Sequence, residues 1–150
     1  MSRFVIHETD WARDAVRLGA IRRKVFIDEQ GVPEALEWDS DDAGSLHLLA
    51  TLADGTAIGC ARLLPDGHIG RMAVLPEWRG HGVGQALLAT ALRLAESQGH
   101  ACVLLSAQIH AAGFYAAAGF TAVGKLYEEA GIPHVAMQKC LNPDNPSCGA

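Results

Sequence analysis

The segment Arg79-Gly80-His81-Gly82-Val83-Gly84-Gln85 sets one permanent cation beside three glycines spaced two apart. A strand-like apolar run ends just before it at Pro76, and a helical pattern opens directly behind it. Backbone N–H groups and a helix N-terminus therefore converge at one point, an arrangement suited to a phosphate or pyrophosphate. Gly80, Gly82 and Gly84 place no side chain between that backbone and a ligand, and glycine permits dihedrals that other residues avoid. Two familiar phosphate signatures fail here. The dinucleotide fingerprint G-x-G-x-x-G/A meets Gln85 when counted from Gly80 and Leu87 when counted from Gly82, and the P-loop lysine is missing. What remains is Arg79-x-x-Gly82-x-Gly84 behind a strand, which is either a phosphate loop or a tight joint whose glycines serve packing.

A second group of reactive side chains lies elsewhere in the chain. Ser106-Ala107-Gln108-Ile109-His110 precedes Phe114-Tyr115-Ala116-Ala117-Ala118-Gly119-Phe120. Tyr115 carries a phenolic proton to donate, and the competing role is an aromatic pair packing a helix onto a sheet. Glu29, Glu128, His110 and His134 are the candidates for a proton acceptor, with imidazole favoured as a class because it titrates near neutrality. Taken singly, each has a structural duty as its commoner role. Of the cysteines, Cys60, Cys102, Cys140 and Cys148, none forms a C-x-x-C pair or stands at zinc spacing from a histidine, so no metal is expected. Cys60 and Cys102 fall in apolar runs and read as small core residues, with all thiols reduced.

These groups need a scaffold. A chain of 150 residues suits one domain, and at 49% hydrophobic and 19% charged residues it is globular rather than disordered. Its net charge of -5, from 12 basic and 17 acidic groups, argues against nucleic acid as the main partner. No apolar run approaches the roughly 20 residues of a membrane span. The start of the chain reads as a short strand followed by charge, not a signal peptide, so a cytoplasmic protein is expected.

Residues 3–7 read as a first strand, and Asp10 caps a helix through Val16, Leu18, Ile21 and Val25-Phe26 that Gly31-Val32-Pro33 ends. An acidic segment follows, with Glu34, Glu37, Asp39, Asp41 and Asp42. Strands at 46–53 and 57–64 flank the hairpin signal Asp54-Gly55, and a strand at 68–74 enters the glycine loop. A helix then carries Val83, Leu87, Leu88, Ala91, Leu92 and Ala95 at helical spacing until Gly99. A strand at 101–105, a helix at 107–118 and strands at 120–124 and 134–139 complete a domain spanning residues 1–141, and residues 142–150 read as a disordered tail. The order β-α-β-β-β-α-β-α-β-β implies a mixed sheet.

The glycine loop and the F-Y-x-x-x-G-F string together resemble motifs A and B of the GCN5-related N-acetyltransferases, the GNAT superfamily. The strings Arg22-Arg23-Lys24-Val25-Phe26-Ile27-Asp28-Glu29-Gln30-Gly31-Val32-Pro33, Gly70-Arg71-Met72-Ala73-Val74, Leu105-Ser106-Ala107-Gln108 and Ala130-Gly131-Ile132-Pro133-His134-Val135-Ala136-Met137 resemble its ElaA-like branch. Ser106 departs from the Asn expected of that branch. The resemblance implies an α/β fold with a mixed sheet of about seven strands flanked by about four helices. It implies direct transfer of an acetyl group from acetyl-CoA, held between splayed strands, to a primary amine of a small molecule in a ternary complex. Carried onto this sequence, it assigns Met72, Ala73 and Val74 to the pantetheine arm and Arg79, Gly80, His81, Gly82, Val83, Gly84 and Gln85 to the pyrophosphate. Gln108, Phe114 and Tyr115 line the same cofactor, Tyr115 protonates the leaving thiolate, and His134 and Glu29 are the foremost base candidates. Relatives of the fold often pair, so a homodimer is a further expectation.

The proton chemistry can be sized. An alkyl amine of pKa about 10.4 costs about 4 kcal/mol to deprotonate at neutral pH, whereas a thiol near 8.5 leaves more readily. A base is therefore the larger need. The acidic segment would favour a cationic acceptor if exposed, and would be a solvated loop otherwise. Two other readings compete. Arg23-Lys24-Val25-Phe26 with Glu37 to Asp42 faintly resembles the N-terminal region of acyl-homoserine lactone synthases, which share the fold, but the short chain and full glycine loop oppose it. A non-catalytic CoA-sensing or partner-binding module is the other, and Tyr115 opposes that.

Overall fold

A computed structural model describes residues 4–141. In order the elements are β1 (Phe4–Thr9), α1 (Trp11–Arg22), a π-helical turn (Arg23–Glu29), α2 (Glu34–Glu37), β2 (Leu46–Leu52), β3 (Ala57–Leu63) and β4 (Ile69–Val74). A 3-10 turn (Pro76–Trp78), α3 (Val83–Ser97), β5 (Cys102–Gln108), a second 3-10 turn (Ile109–Ala111), α4 (Ala112–Ala117), β6 (Thr121–Glu129) and β7 (Ile132–Cys140) follow. The tail expected from residue 142 lies outside the described residues.

The α/β class and the order of elements are as expected, but the strands do not make one continuous ladder. They form two antiparallel sheets, β1-β2-β3-β4 and β5-β7-β6. Among the described residues the halves join at an isolated parallel bridge between His68 and Leu104, where the Leu104 N–H donates to Gly67 O at 3.2 Å. Past that bridge β4 and β5 run on without pairing, so their facing edges keep backbone groups free for a ligand. A register slip in β4 lies at this opening: Cys60 faces Ala73 and Arg62 faces Gly70, leaving one extra residue on β4. Arg71, inside the slip, has a φ of 47°, and a bulge of this kind bends the strand that carries it.

Two helices clamp the first sheet from opposite faces, because alternate strand residues point to opposite sides. The α3 stripe Val83, Leu87, Leu88, Ala91 and Ala95 packs with Leu48, Ala50, Ile58 and Ala61. Gly59 allows that approach, since a Cβ there would stand 3.1 Å from Val83 Cγ1 and 3.2 Å from the Ala73 carbonyl. On the other face Leu18, Ile21 and Val25 meet Leu49, Cys60 and Ala73. Asp10 caps α1 as expected, accepting from the Arg13 N–H at 2.8 Å, while Val16 faces solvent.

Three expectations are corrected. β5 continues to Gln108 because Ser106, Ala107 and Gln108 pair with Ala136, Val135 and His134, so the helix expected from 107 begins only at Ala112. β6 continues to Glu129 because Ala130 and Gly131, with φ of 53° and 78°, make a two-residue hairpin turn into β7. Cys102 and Cys140 are not reduced thiols: they face each other across the β5–β7 ladder and are disulfide-bonded. Cross-strand register puts their Cβ atoms within disulfide reach, which spacing along the chain does not reveal. Cys60 is the buried core thiol expected, and burial pushes its pKa up to about 12.

Candidate active site

The glycine loop builds an anion site from the backbone. Arg79 is extended, and Gly80 and Gly82 take φ of 79° and 83°, which a side chain would strain. Gly82 stands at the N-cap of α3 with no side chain capping the helix, and the first intrahelical bond runs from the Ala86 N–H to Gly82 O. The N–H groups of Val83, Gly84 and Gln85 thus have no acceptor within the helix, and the positive end of a four-turn dipole points at the same spot. Val83 is a core residue by its side chain, so only its backbone can serve here. His81 is exposed and lies tilted against Trp78, with 5.3 Å between ring centres. A pocket of about 330 Å³ lies over this loop between Trp78, Arg79, Gln85 and Phe114.

A cavity of about 850 Å³ continues from it into the opening between β4 and β5. The Leu75 N–H donates to Ile58 O on β3, so alternation turns the backbone groups of Ala73 the same way and those of Val74 and Met72 toward the open edge. Arg79 Nε uses the Val74 carbonyl at 3.0 Å, which places that group on the open side. Met72 and Val74 thus line the opening, and Ala73 backs them with a buried side chain.

Tyr115 lies beside this edge. Its ring is held edge-on by Phe114 at 5.1 Å and Phe120 at 5.9 Å, and its hydroxyl has one protein neighbour, Met72 Sδ at 3.9 Å. Burial raises its pKa, so the phenol keeps its proton. His134 enters from the opposite wall. Its Nδ1 donates to Ile132 O at 2.6 Å, so in the neutral ring Nε2 carries the lone pair. Glu129 Oε2 is 3.8 Å from that nitrogen, and the Tyr127 ring stacks on the imidazole. His134 pairs with Gln108 on β5, and Tyr115 and His134 both line the cavity. The cavity wall thus carries a phenol and an imidazole.

Glu29 is engaged differently. Its carboxylate grips Arg79 through two bonds of 2.7 Å, and those bonds lower its pKa. It is a poor base and a good partner for the loop arginine. The π-helical turn brings it there, with the Gln30 N–H reaching back to Val25 O, and Gln30 itself exchanges amide bonds of 2.8 and 3.3 Å with Gln108 across the opening. His110 lines the cavity but is exposed, and Glu128 does not line it. Ser106, standing where Asn was expected, bonds the Tyr127 hydroxyl.

The acidic segment is not an exposed attractor for cations. Arg22, 1% exposed and flanked by Trp11 and Trp38, binds Glu37 at 2.8 Å and Asp42 at 2.7 Å. Arg62 binds Asp39 at 2.7 Å and Asp42 at 3.0 Å, and Glu34 pairs with Arg23. Burial opposes the Asp42 charge, but the bonds from Arg22 and Arg62 outweigh it and its pKa falls; for Glu37 burial wins and its pKa rises. These carboxylates organise arginines rather than a ligand cation. Arg71, Arg62, Gln30 and Glu129 line the cavity without having been singled out from the sequence. Arg71 stands inside a family-like string, yet nothing in its type signals the left-handed bulge.

Comparison with known proteins agrees with this geometry. The family model for the acetyltransferase (GNAT) domain matches residues 9–141. The chain belongs to the GNAT acetyltransferases. ElaA of Escherichia coli is 33% identical over 127 residues, 79% of this chain and 82% of that protein. The ElaA crystal structure superposes on this GNAT domain with a TM-score of 0.80 at 30% identity, covering 91% of this chain and 99% of that one. An acyl-CoA N-acyltransferase from Pseudomonas aeruginosa gives a TM-score of 0.83 at 33% identity over 91% and 99% of the two chains. Acyl-CoA N-acyl transfer is thus the GNAT chemistry this site serves, and the resemblance to the ElaA-like branch stands.

Proposed function

We propose that this protein transfers the acetyl group of acetyl-CoA to a primary amine of a small molecule by direct attack in a ternary complex. The observation that carries the reading is Tyr115: a half-buried phenol, kept protonated, whose hydrogen-bond partner among the described residues is the Met72 thioether and which lines the same cavity as His134. A thioether is a weak acceptor, so this donor can be given to a stronger one.

The α3 N-terminus and Arg79 hold the pyrophosphate, and Met72 and Val74 hold the pantetheine arm by their open backbone groups. The His134 Nε2 takes a proton from the incoming ammonium, with Glu129 beside it to stabilise the imidazolium. The freed nitrogen attacks the thioester carbonyl, the C–S bond breaks, and Tyr115 gives its proton to the departing sulfur. The nitrogen sheds its second proton as the amide forms, restoring the tyrosine. Glu29 is paired with Arg79 and does not serve as the base. The cavity suits a small acceptor, and a cytoplasmic setting would supply acetyl-CoA; there the Cys102–Cys140 pair would meet reducing conditions. Pairing into a homodimer stays part of this proposal.

The test is thiol release from acetyl-CoA and from longer acyl-CoAs over a panel of amines. Release with one amine class and with acetyl-CoA foremost supports the reading. Detectable CoA binding with silence across the panel would point to a sensor, and absence of CoA binding would overturn the anion site.

A further inference from the structure

Arg71 is the arginine of this charge network with the longest contacts. Arg22 and Arg62 hold Glu37, Asp39 and Asp42 with bonds of 2.7 to 3.0 Å. Arg71 makes third-party contacts to the same carboxylates: Asp39 at 3.5 Å, the Leu36 carbonyl at 3.4 Å, and Glu37 Oε2 at 3.2 Å from Nε. That last approach is poorly aligned, and the buried Nε of Arg71 has no hydrogen-bond partner. Arg62 has the same defect: 6% exposed, on the cavity wall, with its Nε unpartnered. Orphaned guanidinium donors call for an explanation, since such groups are rarely left unmet. Arg71 also holds a left-handed backbone that a non-glycine residue adopts at a cost, and such strain collects at binding sites.

Place adds to chemistry. Arg71 precedes Met72 on β4, so it lies next to the level of Tyr115 and on the side away from Val74 and Arg79. That is the acceptor end of the cavity. The same cavity is lined by His134 and Glu129 on the β6–β7 hairpin. The cavity thus offers a cationic planar fork and a base beside a carboxylate. A guanidinium fork matches a carboxylate in two parallel bonds.

The geometry points to an acceptor that carries a carboxylate as well as its amine, an amino-acid-like molecule seated with the carboxylate on Arg71 and the amine at His134. This rests on the acetyl-transfer reading above and names its substrate class. Asp39 and Glu37 stand on the Nε and Nη2 side of the fork, where Arg62 and Arg22 bind them more closely, and among the described residues no hydrogen bond or ion pair engages Nη1.

The test compares matched probes that differ by one carboxylate: lysine with cadaverine, ornithine with putrescine, phenylalanine with phenethylamine, β-alanine with ethylamine. Binding to the CoA-saturated protein is measured by calorimetry, and thiol release from acetyl-CoA is followed on the same pairs. At least one carboxylated member should bind about tenfold or more tighter than its counterpart. Arg71→Gln should bring that ratio near one, and Arg71→Lys, which keeps the charge but not the fork, should leave it intermediate. Melting and CoA affinity of both variants verify that each is folded. Equal or undetectable binding of both members in every pair, or a preference that survives in Arg71→Gln, overturns the carboxylate site. Release without preference sinks this site alone, whereas Arg71-dependent binding without release sinks the acetyl-transfer reading alone.

Discussion

Replacing Tyr115 with phenylalanine removes one oxygen and leaves the ring where Phe114 and Phe120 hold it. That oxygen has a single protein contact, Met72 Sδ at 3.9 Å, too long to give much back. Stability should therefore stay within about 0.5 kcal/mol of wild type, or rise as a poorly satisfied buried hydroxyl is lost. Catalysis should fall. A leaving thiol of pKa near 8.5 departs with moderate help, so the loss belongs at the low end of general-acid effects, about tenfold to a hundredfold, or ~1.4–2.7 kcal/mol on the barrier. Because burial raises the Tyr115 pKa, its contribution to stability is present below the ordinary phenol value and is lost as pH rises through the folded-state value. The phenylalanine variant lacks that loss and should resist alkaline unfolding better than wild type. Thiol-release kinetics, CoA titration and urea denaturation measure the three quantities. A kcat within about twofold of wild type would refute the acid role, and a loss of CoA affinity matching the loss of rate would make the ring a binding wall instead.

His134→Gln should lower kcat/KM by about a hundredfold or more, and its rate should climb about tenfold per pH unit as free amine becomes available toward pH ~10; a flat profile with wild-type rate would exclude His134 as the base. Glu29→Gln frees Arg79 and removes a negative charge from beside the pyrophosphate site, so CoA should bind up to about fivefold tighter, the limit set by a solvent-screened pair; weaker binding would mean that Glu29 is needed to aim the arginine. The Glu29 pKa is lowered, so this ion pair is present above the ordinary carboxylate value and is lost as pH falls through the folded-state value. Arg22→Met should cost about 3–5 kcal/mol in urea denaturation, because it strands Glu37 and Asp42 without their buried partner; a cost under about 1 kcal/mol would show the network to be self-sufficient.

The shape of the glycine loop was legible because its geometry is local. Glycines at 80 and 82 are needed for their own backbone angles, and the helix behind them follows from the spacing of Val83, Leu87 and Ala91. The placement of Tyr115 on a short helix beside Phe114 was legible for a similar reason. The opposite error concerns the acidic segment. A run of carboxylates looks like an open cation site until the partners are seen, and Arg22 and Arg62 come from α1 and β3, twenty residues away on either side of Asp42. Glu29 was misjudged likewise, since its partner Arg79 is fifty residues away.

The sequence by itself determined the element order, the shape of the glycine loop and the family, because each is written in neighbours along the chain. Tertiary structure decided which groups meet. It split the sheet past His68 and Leu104, brought Tyr115 and His134 to one cavity, joined Cys102 to Cys140, and left the Arg71 Nε without a hydrogen-bond partner in the cavity wall. The physical reason is register: hydrogen-bonded strand pairing and one bulged residue set these distances, and neither is encoded at the positions whose side chains it brings together.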